Sequence, residues 1–204
     1  MNFSLGSFKL SPKITEEPAP PLKLPHTDPQ AVTQLSNRLQ HSLFKVSAAK
    51  QIVVVCVGTD RSTGDALGPL VGSALIKNSK IPVYGTLDEP VHAMNLSEKL
   101  QTIEKLHNQP YIIAVDACLG QLTSVGCIQA AAGPVKPGAG VNKDLPPVGD
   151  YHVTGIVNVG GFMEYFVLQN TRLHLVFNMS NVIAESLRIA TEHRPRFLSA
   201  GVRD

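Results

Sequence analysis

Three acidic loops recur along the chain, each just after a short apolar run. They are Gly58-Thr59-Asp60-Arg61-Ser62-Thr63-Gly64-Asp65, Asp88-Glu89-Pro90-Val91-His92 and Asp116-Ala117-Cys118. Two carboxylates held close together cannot both ionise easily, so one keeps a proton. The ionised member can then activate a water while the protonated one polarises a carbonyl. Asp65 and Asp116 are the candidate catalytic pair, and Glu89 and His92 of the middle loop are candidates for contacting a substrate. If a histidine joins the two carboxylates, an oxygen-and-nitrogen metal site is the alternative. Structural roles compete with both. Asp65 opens an expected helix, where a carboxylate is favoured by capping and by the helix dipole. Asp116 ends a buried strand and could simply fix the next turn. Cys118 lacks a histidine nearby in sequence to serve as its base. The Gly58–Gly64 loop is not G-x-G-x-x-G and has no P-loop lysine, and Asp65 opposes phosphate, so no nucleotide site is expected.

Positioning these loops requires alternating strands and helices. Ile52–Val57 is a continuous β-branched and apolar run, suited to a strand buried on both faces of a parallel sheet. Ala66–Lys77 reads as a helix, Pro82–Gly85 as a short strand, and Leu96, Leu100, Ile103 and Leu106 as a helical stripe. Tyr111–Val115 reads as a third strand and Val125–Ala130 as a fourth. Ile156, Val159, Phe162, Met163, Phe166 and Val167 then suggest a helix. Leu173, Leu175 and Phe177 alternate like a last strand, and 178–192 reads as a closing helix. The expected fold class is a three-layer α/β/α sandwich with a mainly parallel sheet, in which ligands bind beyond the carboxyl ends of the strands. The Gly- and Pro-rich stretch from Gly133 to Asp150 is long for a structureless loop. It is expected to border the acidic site and to deliver His152 to it.

The remaining sequence narrows the function classes. Six of the 15 prolines, at positions 12, 18, 20, 21, 25 and 29, fall in the first 29 residues. Residues 1–28 therefore read as an extended, loosely held arm dispensable for the core, followed by one domain over 29–204. Asp28-Pro29 has the form of a helix start, and Val32, Leu35, Leu39, Leu43 and Val46 form the stripe of a helix over about 29–45. At 43% hydrophobic and 17% charged residues, the chain can bury a full core, which excludes global disorder. A net charge of +2, no long basic run and 5% aromatics argue against nucleic-acid binding. The longest apolar run is too short to span a bilayer, so no membrane partner is expected. Cys56, Cys118 and Cys127 form neither a disulfide framework nor a zinc motif. The first 25 residues lack the pattern of a secretory signal, which gives a cytoplasmic expectation.

Three stretches carry a resemblance to a known family. Gly58-Thr-Asp-Arg-Ser-Thr-Gly-Asp-Ala-Leu-Gly-Pro69, Gly85-Thr-Leu-Asp-Glu-Pro-Val-His-Ala93, and Thr154-Gly-Ile-Val-Asn-Val-Gly-Gly-Phe-Met-Glu164 with Leu168–Leu173 resemble the YyaC family of sporulation proteins, over about residues 50–190. That family in turn resembles the germination protease, which degrades small acid-soluble spore proteins, and more distantly the hydrogenase maturation proteases. Thr63-Gly64-Asp65-Ala66-Leu67-Gly68-Pro69 resembles a germination-protease element with an essential Asp, which implies that role for Asp65. Val115-Asp116-Ala117-Cys118 resembles a second such element and implies the same for Asp116. In the maturation proteases an acidic pair and a later His bind a metal. His152 is the positional match, which implies a divalent metal held by Asp65, Asp116 and His152.

The resemblance thus implies a phosphorylase/hydrolase-like, hydrogenase maturation protease-like fold. It also implies a sporulation-associated peptidase acting on a protein or peptide, such as a spore protein, in a sporulating cell or spore. The alternative is a non-catalytic protein of sporulation that binds peptide or metal on the same fold. No cofactor is expected beyond that metal, and a homo-oligomer is compatible with either reading.

Overall fold

The computed structural model describes residues 20–137 and 145–192. Residues 1–19 of the proline-rich arm and 138–144 of the long loop lie outside the described residues. Six strands form one sheet: β1 (Leu22–Pro25), β2 (Ile52–Cys56), β3 (Val83–Tyr84), β4 (Tyr111–Gly120), β5 (Cys127–Ala132) and β6 (Tyr151–Val159). Their spatial order is β1-β5-β6-β4-β2-β3. β3, β2, β4 and β6 run parallel, while β5 pairs antiparallel with β6 and β1 antiparallel with β5.

The β-branched run of β2 is buried throughout because both faces of the sheet are covered. Its alternate residues serve different cores. Val54 and Cys56 pack with helices α1 (Ala31–Phe44), α2 (Leu67–Asn78) and α5 (Leu173–Glu192), through Leu35, Leu75, Met179 and Ile183. Val53 and Val55 pack on the opposite face, with Leu96 and Ile103 of α3 (Leu96–Leu106) and with Val148. The expected three-layer α/β/α arrangement is therefore present, with a mixed, mostly parallel sheet.

Two expected elements differ. Ile156 and Val159 belong not to a helix but to β6, whose Tyr151, Val153 and Val157 reach the core. The helical stripe is broken by Gly160 and Gly161. Only Glu164–Gln169 is helical there, forming α4. Leu173, Leu175 and Phe177 belong not to a strand but to the first turns of α5. Its inward stripe is Val176, Met179, Ser180, Ile183 and Leu187, a 3.6-residue period, whereas Leu173 and Phe177 face solvent.

The expectation of a loose arm over 1–28 is also corrected, for its described end. Residues 22–25 form an edge strand on β5, where proline is tolerated. Leu24 is buried, Lys23 Nζ donates to Ser124 Oγ (2.6 Å), and the His26 N–H donates to the Gly126 carbonyl (2.9 Å). Leu24→Ala should therefore cost about 2 kcal/mol, the lower end of the range for a buried leucine because an edge strand can relax. Urea denaturation checks this, and an unchanged midpoint would return the segment to a dispensable arm. Asp28 does begin the α1 entry: its Oδ1 accepts from the Gln30 N–H at 2.8 Å.

Candidate active site

Chain direction explains where the site lies. From β2 the chain crosses through α2 to β3 on one side, then returns through α3 to β4 on the other side of β2. Right-handed crossovers in opposite directions put α2 and α3 on opposite faces. A crevice opens between the loops that leave β2 and β4, the switch point where open α/β sheets bind ligands. A cleft of about 180 Å³ occupies this position, lined by Asp65, His92, Asp116 and Cys118 among others.

Each acidic group is held by local geometry. The loop after β2 turns at Gly58, whose φ of 145° favours glycine. A Cβ there would lie 2.0 Å from the Asp65 carbonyl oxygen, so the turn folds tightly back on the residue it presents. The Thr59 N–H donates to that same carbonyl (3.2 Å), and the Gly64 N–H donates to Leu168 of α4 (2.9 Å). Asp65 thus stands at the cleft two residues before α2. Asp116 lies within β4, opposite Thr154 of β6, with 6% of its surface exposed. The Ala117 N–H donates to its Oδ1 at 2.9 Å.

Both carboxyls resist ionisation. Burial raises the pKa of half-buried Asp65. Asp116 is raised well above the ordinary carboxylate range, first by burial and then by the charge of Asp65, against a smaller opposing pull from the Ala117 N–H. The order of ionisation follows: Asp65 loses its proton first, and its charge then holds the proton on Asp116.

The other expected site residues divide. His92 lines the cleft. Its backbone N–H donates to Asn95 Oδ1 (2.8 Å), while its buried Nδ1 has no hydrogen-bond partner among the described residues. Glu89 does not join them; it is exposed and pairs with Lys99 of α3. His152 is also absent from the cleft. It sits in β6 opposite Ala114, two strand positions before the Asp116–Thr154 pair, and its Nδ1 is 2.9 Å from the Gly133 carbonyl. The reason is that the residues after the long loop are strand rather than helix, which places His152 upstream of the carboxyl edge. The implied metal set of Asp65, Asp116 and His152 therefore does not fit. Among the described residues no group of three or more His, Cys, Asp and Glu side chains is placed to hold a metal ion.

The long connection, whose described ends are joined by a Val135–Val148 bridge, does border the cleft through Val135, Lys136, Pro137 and Leu145. Sequence reasoning missed Lys136 and a third carboxylate, Glu164 of α4. Glu164 Oε1 accepts from the Gly161 N–H at 3.1 Å. Its signal was its place at the end of the Thr154–Glu164 motif. Cys118 is a poor nucleophile. Burial pushes its thiol up to about 11, with Asp116 adding and a hydrogen bond with Thr154 opposing. Its alkylation by iodoacetamide at pH 8 should run on the order of a hundredfold slower than in the unfolded chain, because the thiolate is the reacting species. A peptide mass-spectrometric time course measures this, and equal rates would contradict the assignment.

No helix among the described residues is long and apolar enough to cross a membrane. Comparison with known proteins adds three findings. The chain is 18% identical to a [NiFe] hydrogenase maturation protease, HycI, from Thermococcus kodakarensis KOD1, with a TM-score of 0.38 over 74% of this chain and 98% of that one. It is 60% identical over 178 residues to "Uncharacterized protein YyaC" of Bacillus subtilis (strain 168), covering 85% of this chain and 86% of that protein. Residues 23–186, from β1 into α5, match the model of the family described as "Protein of unknown function (DUF1256)". With that span and that identity, the chain belongs to the DUF1256 family and is a relative of YyaC.

Proposed function

We propose that this protein is a peptidase of the sporulating cell or spore, hydrolysing a peptide bond with Asp65 and Asp116. The observation that carries the reading is the pairing itself: two carboxyls in one cleft at the sheet's switch point, one deeply buried and disfavoured by the charge of the other. The resemblance of Thr63–Pro69 and Val115–Cys118 to the two aspartate elements of the germination protease supports the same roles. The unequal burial of the two aspartates supports the following division of roles. Ionised Asp65 takes a proton from a water whose oxygen attacks the peptide carbonyl carbon. Protonated Asp116 donates a hydrogen bond, then its proton, to the carbonyl oxygen. Collapse of the tetrahedral species breaks the C–N bond: one hydroxyl of the diol returns its proton to Asp116 as the C=O re-forms, and the proton held on Asp65 goes to the leaving amine. No step requires a metal. His92 lines the same cleft, which supports a contact between its side chain and a polar group of the substrate.

The test uses two probes, a small acid-soluble spore protein and a random peptide library, with new termini read by mass spectrometry. The wild-type chain should cleave at least one of them, and Asp65→Asn should lower the rate by about 10²–10⁴-fold, the usual contribution of a positioned base. Binding without new termini in the wild type would overturn turnover and leave a peptide-holding module.

A further inference from the structure

We propose that the protein is a two-fold homodimer, joined through an apolar surface at the carboxyl end of β4 and β6. The surface lies on α4 and its neighbours, beside the cleft mouth. Phe162 is 86% exposed and Tyr165 62%, and Met163 and Phe166 are more than half exposed. Leu122, 75% exposed, follows β4 and joins this group through the ladder: Gly120 pairs with Val159, and the Gly160 N–H donates to the Gly120 carbonyl (2.9 Å). Leu173 and Phe177 extend it along α5, one helical turn apart and both at least half exposed. The start of α5 is adjacent because only Asn170, Thr171 and Arg172 separate it from the end of α4.

The size of the patch decides what it is for. Aromatic side chains carry about 150–250 Å² each, so four of them with Met163, Leu173 and Leu122 leave on the order of 700 Å² of apolar surface in water. The largest apolar patch on an ordinary monomer is about 300–600 Å². A standard stable interface needs about 800 Å² from each partner, which this patch with a polar rim supplies.

Its charge selects the occupant. From Val159 to Met179 the only Asp, Glu, Lys or Arg residues are Glu164 and Arg172, one of each sign. Depletion of charge is the mark of an interface core. A segment neutral overall, with one acid and one base, gives its own copy across a two-fold axis no net like charge to repel. It offers nothing to select a strongly charged partner. A second copy of this chain satisfies area and charge together.

The full chain should be measured by light scattering and sedimentation velocity from about 1 to 100 µM. The expected mass at the upper concentration is near twice the 21.9 kDa of one chain. Phe162→Glu with Phe166→Glu should return it to one chain, while Phe44→Glu, 90% exposed at the end of α1, should leave the dimer intact. Circular dichroism and the thermal midpoint check folding. Should the double variant misfold, Phe177→Glu on α5 gives the same readout from an independent helix. A single-chain mass for wild type at 100 µM overturns the proposal and leaves the patch to a different protein. So does a dimer that survives the substitutions at Phe162, Phe166 and Phe177.

Discussion

Asp116→Asn should lower peptide cleavage by about 10²–10⁴-fold and, at pH 8, raise the thermal midpoint. The two effects have one origin. In the folded chain burial and the neighbouring Asp65 raise the Asp116 pKa well above its ordinary value, whereas in the unfolded chain nothing does. A group whose folded pKa is raised binds more protons in the folded state, so stability is greatest below the unfolded carboxylate pKa of about 3.9 and falls as pH rises through the folded pKa. Asp65 shifts in the same direction through burial and adds to the slope. Asparagine removes the Asp116 component. Its Oδ1 can keep the bond from the Ala117 N–H, and no charge has to be buried at high pH. Wild type and variant should therefore melt together near pH 4 and diverge above it. A separation of a few degrees at pH 8 corresponds to about 1 kcal/mol in a chain of this size. Calorimetry across pH 4–9 measures the difference. A variant less stable than wild type at pH 8 would mean that Asp116 is held ionised, against its burial and the charge of Asp65. The expected pattern is the trade of stability for activity that a working site imposes.

The elements that carry Asp65 and Asp116 were legible because their physics is local. A strand buried on both faces has no polar side to alternate, so Ile52–Val57 and Tyr111–Val115 announced themselves, and the loop after each followed directly. Helices α1, α2 and α3 were legible from their stripes and from the Asp28-Pro29 entry. β6 was not. A helical period could be laid across Ile156, Val159, Phe162 and Phe166 because the first two belong to a strand and the others to a separate turn and helix. A register shift opposite Cys118 and Leu119 further disturbs the alternation along β6. The start of α5 failed for the opposite reason. Leu173, Leu175 and Phe177 alternate, but two of the three face solvent, so their spacing reported the exposed surface rather than the core. Misreading β6 also misplaced His152, since it pairs with Ala114, two strand positions short of the level at which Asp116 lines the cleft. Glu164 and Lys136 come to the cleft from distant segments. Their placement depends on how α4 and the β5–β6 connection fold over the sheet edge, which no local period encodes.

Gly68→Ala should destabilise the chain by about 3 kcal/mol and lower cleavage with it. Two effects of opposite sign compete. Gly68 is in the first turn of α2, where alanine is intrinsically better than glycine by about 1 kcal/mol. A Cβ at this position would lie 2.0 Å from the Val57 carbonyl oxygen, 2.8 Å from its carbon and 3.0 Å from the Val57 nitrogen. Those atoms are backbone at the end of the central strand β2, where the Val57 N–H donates to the Val115 carbonyl of β4 at 2.7 Å, so no rotamer change relieves the contact. Relief requires α2 to move off the sheet, and overpacking of that kind costs about 1–3 kcal/mol, occasionally more. The clash outweighs the propensity, and a midpoint drop of roughly 6–12 °C is expected. Because Asp65 lies two residues before α2, the displaced helix should carry its carboxyl away from Asp116, so activity should fall even at temperatures where the variant stays folded. Gly160→Ala is the control: its nearest neighbour would be the Leu119 Cβ at 3.3 Å, and the cost should stay below about 1 kcal/mol. Urea denaturation and cleavage rates on both variants decide the matter. A Gly68→Ala chain as stable as wild type would show that α2 is free to shift on the sheet, and the close helix-to-strand contact would then not be what fixes Asp65 at the cleft.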